Sequence, residues 1–187
     1  MTRWFYRFRG YLVTPPFIFA FFCFSLETEM DYLIWSIGIS LVFVGMILRI
    51  WAQQHLRYRL NVKKCLTTTG PYSFIRNPVY VGNILMCLGA IITSELLWLV
   101  PIALLYWFSI YSLVVHYEER HLLEKYGEPY RRYVAGVPRW LPRAIRFRKF
   151  EILNEFFLKS MVAEIHCPFI LLPYILKEIV SLWIEHG

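Results

Sequence analysis

Arg76, Asn77 and Pro78 stand side by side at the head of an apolar run, an order of residue types suited to holding an anion. Asn is favoured just before a helix and Pro at its first position, so the spacing predicts a helix that begins at Pro78. The unpaired N–H groups of a helix N-terminus attract negative charge, and a guanidinium one residue outside adds a charge-assisted partner for a carboxylate. A second polar stretch, His116-Tyr117-Glu118-Glu119-Arg120-His121, closes another apolar run. Neighbouring residues point to different sides of a helix, so one of Glu118 and Glu119 is expected to face inward and the other water. The inward carboxylate would accept hydrogen bonds from ribose hydroxyls or an ammonium. If the runs that carry these stretches form a hairpin, the two stretches meet on one face.

The elements that must bring them together are membrane spans. About 20 apolar residues cross the hydrocarbon as a helix, and four runs qualify or nearly so: 11–26, 32–52, 79–92 and 96–115. The first carries Pro15 and Pro16, which predict a kink or a late helix start. Arg3, Arg7 and Arg9 precede it, but Glu27, Thr28 and Glu29 follow where a cleavage site would need small residues, so it reads as a retained span and not a signal peptide. Basic segments alternate with acidic or uncharged turns. Arg57, Arg59, Lys63, Lys64 and Arg76 fill the second loop, and Arg131, Arg132, Arg139, Arg143, Arg146, Arg148 and Lys149 follow the fourth run. The positive-inside pattern places these segments, both termini and the paired polar stretches on the cytosolic side of a multi-pass protein.

The expected class is therefore an all-α integral membrane protein with about four transmembrane helices in residues 1–149 and a helical extension in 150–187. Phe150, Leu153, Phe157, Met161 and Ile165 recur at helical spacing against Glu151, Asn154, Glu155, Lys159 and Glu164, which predicts an amphipathic helix for the interface or a partner. The run 168–184 contains Pro173, Lys177 and Glu178, and charges at mid-bilayer cost about 2.5–3.5 kcal/mol each. An interfacial or re-entrant hairpin is expected there in preference to a fifth span.

Composition agrees with this class. The chain is 58% hydrophobic and 19% aromatic with a mean hydropathy of +0.46, against about 45–50% apolar residues in soluble domains. The net charge of +7 sits in short stretches between apolar runs, which argues against nucleic acid as a partner. Cys23, Cys65, Cys87 and Cys167 have no paired spacing, so neither a disulfide framework nor a metal site is expected, and His166-Cys167 lacks a second pair.

From Gly70-Pro71-Tyr72 through Arg76-Asn77-Pro78-x-Tyr80-x-Gly82, Glu118-Glu119 and Tyr126-Gly127-Glu128-x-Tyr130-x-x-Tyr133 to Val137-Pro138 and Pro142, the order resembles the isoprenylcysteine carboxyl methyltransferase family and its phospholipid N-methyltransferase relatives. The resemblance covers about residues 66–142. It departs at Asn77, where the family more often has His. It implies a helical membrane enzyme that takes S-adenosylmethionine at the cytosolic face and a lipophilic or small-molecule acceptor, a carboxylate, amine or thiol, from the bilayer. By the same resemblance Arg76, Asn77, Pro78, Tyr80, Gly82, Glu118 and Glu119 belong to the cofactor region, and Tyr130 and Tyr133 to a segment that closes over it. Arg76, Glu118 and Glu119 are the residues it points to for catalysis.

Other readings stay open at this point. Arg76 alone would serve as a positive-inside anchor, and Glu118 and Glu119 as solvated charges beside Arg120. His116 and His121 are candidate bases or plain interface residues, and His55 beside Gln53 and Gln54 is polar enough to approach the site. Membrane sterol and steroid reductases have a similar C-terminal organisation and use NADPH, and a non-enzymatic scaffold that holds anionic lipid on its basic loops predicts no cofactor at all.

Overall fold

The computed structural model describes residues 2–24, 28, 31–63, 65–142 and 154–186, and every regular element among them is helical. Glu27, Glu29, Lys64, Arg143, Arg146, Arg148, Lys149, Phe150, Glu151 and Leu153, together with the expected boundary at 149/150, lie outside these residues. The helices are α1 (Thr2–Leu12), α2 (Pro15–Phe22), α3 (Asp31–Tyr58), α4 (Pro78–Ile92), α5 (Leu99–Tyr126), α6 (Glu128–Gly136), α7 (Phe157–Glu164) and α8 (Leu172–His186). Tyr32–Asn61, Leu99–Tyr126 and Phe157–Ser181 are long and apolar enough to cross a membrane, and Pro78–Ile92 is a shorter apolar helix. The protein is thus the all-helical, multi-pass membrane type its apolar runs predict.

Helices α3 and α4 make the closest contact of the bundle, and glycine makes it possible. Gly38 and Gly45 stand two turns apart on α3 and meet Gly89 and Gly82 on antiparallel α4. A Cβ built at Gly89 would lie 2.4 Å from the Gly38 carbonyl oxygen, and one at Gly45 would lie 2.6 Å from that of Gly82. Lipid tails are as apolar as the helix surfaces, so burial alone does not drive helices together in a bilayer. Close backbone approach at small residues supplies the van der Waals contact that does.

The first helical stretch is broken where the two prolines stand. Pro15 and Pro16 have no N–H to continue the ladder, α1 ends at Leu12 and α2 starts at Pro15. The carbonyls left over find partners on α5: the Tyr106 hydroxyl donates to Leu12 O at 2.8 Å and Trp107 Nε1 donates to Val13 O at 3.0 Å. Ring contacts track the pair of helices antiparallel along α5, from Tyr6 on Tyr117 at 5.4 Å to Phe19 on Trp98 at 5.8 Å. Helical structure therefore begins at Thr2, ahead of the apolar run, and restarts at Pro15 as the prolines predict.

The C-terminal extension is helical as expected but does not fold back as a hairpin. Near its start, Asn154 N donates to Gln54 Oε1 at 3.1 Å and Glu164 pairs with Arg49 Nε at 2.8 Å. Further along, Lys177 Nζ donates to Ser94 O at 3.3 Å, in the turn between α4 and α5. The segment thus runs the length of the bundle. The expectation of a hairpin rested on Pro173, Lys177 and Glu178 within the run, and Lys177 stands at the level of that turn, not at mid-bundle. The apolar stripe also points the other way from a soluble helix. Met161 and Ile165 are 41% and 69% exposed, whereas Ser160 and Glu164 are buried against α3. In hydrocarbon the apolar side faces out and polar groups pair inside.

Candidate functional site

Helices α4 and α5 are joined by the short 93–98 turn, so the first residues of α4 and the last turns of α5 share the basic face. There the two polar stretches meet. Arg76 Nη1 lies 3.1 Å from Glu119 Oε1, and Arg139 Nε donates to the same oxygen at 3.1 Å while its Nη2 takes Oε2. One largely buried carboxylate thus bridges two guanidinium groups, a geometry that demands the planar fork of arginine. Glu118 turns to the other side of α5, where the Tyr80 hydroxyl donates to its Oε1 at 2.7 Å. Both glutamates are therefore engaged, and neither is the freely solvated one expected of the pair.

The 137–139 segment closes over the start of α4. Arg76 N donates to Pro138 O at 2.9 Å, and Asn77 Nδ2 donates to Arg139 O at 3.2 Å. Asn77 does precede the helix, with Pro78 at its first position, but its side chain makes no capping bond. It is spent on the crossing strand of chain instead. Helix α6 begins after Gly127, whose φ of +56° suits glycine, and brings Tyr133 to donate to Tyr72 O at 2.8 Å. Burial raises the Tyr133 and Tyr72 hydroxyls well above the ordinary tyrosine range, as befits groups held neutral. Tyr130 is pushed up to about 12 by burial and the nearby Glu119 carboxylate. Beneath the Gly70–Ser73 turn, His55 is buried with Nδ1 3.2 Å from Thr69 Oγ1, and a Cβ at Gly70 would lie 2.5 Å from its ring. His55 props the turn that carries Arg76 and does not enter the cavity.

That cavity measures about 480 Å³ and is bounded by Arg76, His116, Glu119, Tyr130, Arg131 and Arg139, with Leu123 and Val134 as its apolar wall. Of the expected site residues, Arg76, Glu119 and Tyr130 line it. Asn77, Pro78, Tyr80, Glu118 and Tyr133 are not in its lining: Asn77 is bonded to Arg139 O, Tyr133 to Tyr72 O, and Tyr80 to Glu118 on the other side of α5. Gly82 stands apart, against Arg49 Cγ and Gly45 O on α3, where it serves helix contact. Arg139, read from the sequence only as a basic-face charge, is a full member of the cluster; its position right after Val137-Pro138 was the available signal. Among the described residues no group of three or more His, Cys, Asp or Glu forms a metal site, and Cys167 Sγ donates to Glu164 at 3.0 Å.

The donor set fits a ligand with a carboxylate at one end. Guanidinium groups outnumber carboxylates around the cavity, and the buried Nε of Arg76 has no hydrogen-bond partner. Such an orphan donor costs about 1–3 kcal/mol until something accepts from it.

The chain is 33% identical over 112 residues to the cobalt-zinc-cadmium resistance protein CzcN of Cupriavidus metallidurans, covering 60% of this chain and 49% of that protein. It is 31% identical, again over 112 residues, to the nickel-cobalt-cadmium resistance protein NccN of Alcaligenes xylosoxydans xylosoxydans, covering 60% and 50%. The chain thus spans about half the length of these curated relatives. A more distant likeness, 28% over 153 residues, covers 69% of this chain and 23% of the Delta(14)-sterol reductase LBR of Gallus gallus. No solved structure matches. Residues 33–129, which hold α3, α4, α5 and both polar stretches, match the phospholipid methyltransferase family, and the chain belongs to that family.

Proposed function

We propose that the protein transfers a methyl group from S-adenosylmethionine to a lipophilic or small-molecule acceptor, and that the basic face where this happens is cytosolic. The observation that carries the reading is the Arg76–Glu119–Arg139 cluster at the rim of a cavity of about 480 Å³, in a chain of the phospholipid methyltransferase family. Bound there, S-adenosylmethionine supplies an electrophilic methyl on a sulfonium. The protein's share is placement and exclusion of water, since an in-line displacement needs no covalent help. Arg76 and Arg139 hold the cofactor's carboxylate, Tyr130 and Val134 cover it, and the segment bonded to Arg76 N closes the site. Glu118, fixed by Tyr80, faces the bundle and orients the acceptor. An amine acceptor must lose a proton, which Glu118 or His116 takes; a carboxylate or thiolate acceptor needs no base.

The likeness to a sterol reductase favours a second reading, an NADPH site, because an arginine-lined cavity also suits phosphate. Calorimetry on the purified protein separates the two. Binding of S-adenosylmethionine and its demethylated product without NADPH is the expected result, and NADPH binding alone would overturn it. Incubating a lipid extract with methyl-labelled cofactor then identifies the acceptor by mass spectrometry.

A further inference from the structure

A second cavity, of about 410 Å³, is bounded by Arg9, Arg49, Asn83, Tyr111 and His166. Arg49 is its most heavily committed member. The Arg49 stem crosses α4 where Gly82 leaves room, since a Cβ there would lie 2.7 Å from Arg49 Cγ. Arg49 Nε and Nη2 then donate to the two carboxylate oxygens of Glu164 at 2.8 and 3.0 Å, and Nη1 donates to Asn83 Oδ1. Glu164, buried in the extension, also accepts from Cys167 Sγ at 3.0 Å. Attachment of the extension does not by itself explain this pair. Both residues stand in helices long and apolar enough to cross a membrane, where ionised side chains are costly and mark function. Small residues already hold α3 to α4 without any charge, and an apolar pair of similar volume is often as stable as a buried ion pair. What the pair adds is direction. A guanidinium locked on both oxygens of Glu164 fixes where its third nitrogen points, and Asn83 stands there.

We infer that Glu164 is a positioning residue for the acceptor side of the site, acting through Arg49 on Asn83. Asn83 lies beside the Tyr111 hydroxyl, Tyr111 stacks on Tyr80 at 5.1 Å, and Tyr80 donates to Glu118, the residue proposed to orient the acceptor. A connected path of side chains thus runs from the extension to Glu118. Arg9, on the same cavity, stands close enough to act on the Glu118 carboxylate as well. Glu119 serves the other cavity, so the neighbouring glutamates divide the site between cofactor and acceptor. Glu164 lies outside the family match at 33–129, and the family likeness therefore assigns it nothing. That the positioned groups serve the acceptor rests on the proposed function; that Glu164 positions Asn83 does not.

The test uses the full chain in lipid nanodiscs and two variants. Glu164→Gln removes the charge and one oxygen from the fork. Arg49→Met combined with Glu164→Leu replaces the pair by apolar side chains, which keeps the extension attached should the single variant fail to fold. Both should bind S-adenosylmethionine like the parent by calorimetry, because the Arg76–Glu119–Arg139 cluster is untouched. With methyl-labelled cofactor and a protein-free extract of lipids and metabolites, their maximal rate should fall by roughly 10- to 100-fold, since a misplacement of ~1 Å is enough for such a loss. The nuclear magnetic resonance signal of the Asn83 side-chain amide, one of four asparagines in the chain, should also move in Glu164→Gln. Parent-like transfer in either variant, or an Asn83 signal that stays in place in Glu164→Gln, would overturn the inference and leave the pair as a staple. A parent that incorporates no label would sink the methyltransferase reading, and the Asn83 signal then decides by itself whether Glu164 positions that residue.

Discussion

Arg76 is the residue on which the proposed chemistry turns, and its surroundings state what should follow from changing it. If it holds a cofactor carboxylate, Arg76→Ala removes a charge-assisted hydrogen bond worth about 1.5–3 kcal/mol, and calorimetric affinity for S-adenosylmethionine should fall roughly 10- to 150-fold. Arg76→Lys keeps the positive charge but cannot reproduce the fork, so it should lose most of that affinity too. Full binding in the lysine variant would reduce Arg76 to a membrane anchor. Much of this was legible beforehand. The order Arg-Asn-Pro announced a helix start, and Glu118-Glu119 announced a split between two faces. What was not legible was the outcome of long-range competition for each polar group. Asn77 is drawn from its capping bond by Arg139 O, and Glu119 takes Arg139 as well as Arg76, because the 137–139 segment crosses above them. Local propensity carries no information about that crossing.

At the level of elements, α3 and α4 depend on contacts that admit no extra atom. Gly89→Ala would drive a methyl into the Gly38 backbone, which cannot yield as a side chain could, and overpacking of this kind costs about 1–3 kcal/mol. A thermal-unfolding series in detergent should show the loss, with Gly136→Ala, where a Cβ meets nothing within 4 Å, as the silent control. Helix α6 makes a different commitment. Tyr130 stays protonated in the folded protein to about 12, against 10.0 for the free side chain. Its raised value means that the stability it contributes is complete below pH 10.0 and is lost as pH rises through about 12. An alkaline unfolding titration should therefore show a later, shallower transition in Tyr130→Phe than in the parent. The apolar runs predicted α3, α4 and α5 well because each is a long run with a single solvent to satisfy. The break ahead of Pro15 was legible too, whereas the path of the extension was not, because the partners of Glu164 and Lys177 lie far along the chain.

For the molecule as a whole, the path of the extension decides topology. Helix α1 begins beside the His116–His121 end of α5, and α8 passes the opposite turn at Ser94, so the two ends of the described chain lie towards opposite ends of the helix bundle. We expect a cysteine at position 2 to be labelled from the basic side and one at position 186 only from the other, in place of the shared cytosolic location that the loop charges suggested. Labelling of both from one side would restore the hairpin. The break between α1 and α2 has a consequence for how the protein is made. When residues 2–24 leave the ribosome, the carbonyls of Leu12 and Val13 have no donor, because Tyr106 and Trp107 are still to be synthesised. In hydrocarbon each such carbonyl costs several kcal/mol, so the first segment gains little by entering the bilayer alone and is best held at the translocon until α5 arrives. Chains truncated before residue 31 should then be extractable by alkaline carbonate, and Trp107→Phe should slow the integration of the full chain.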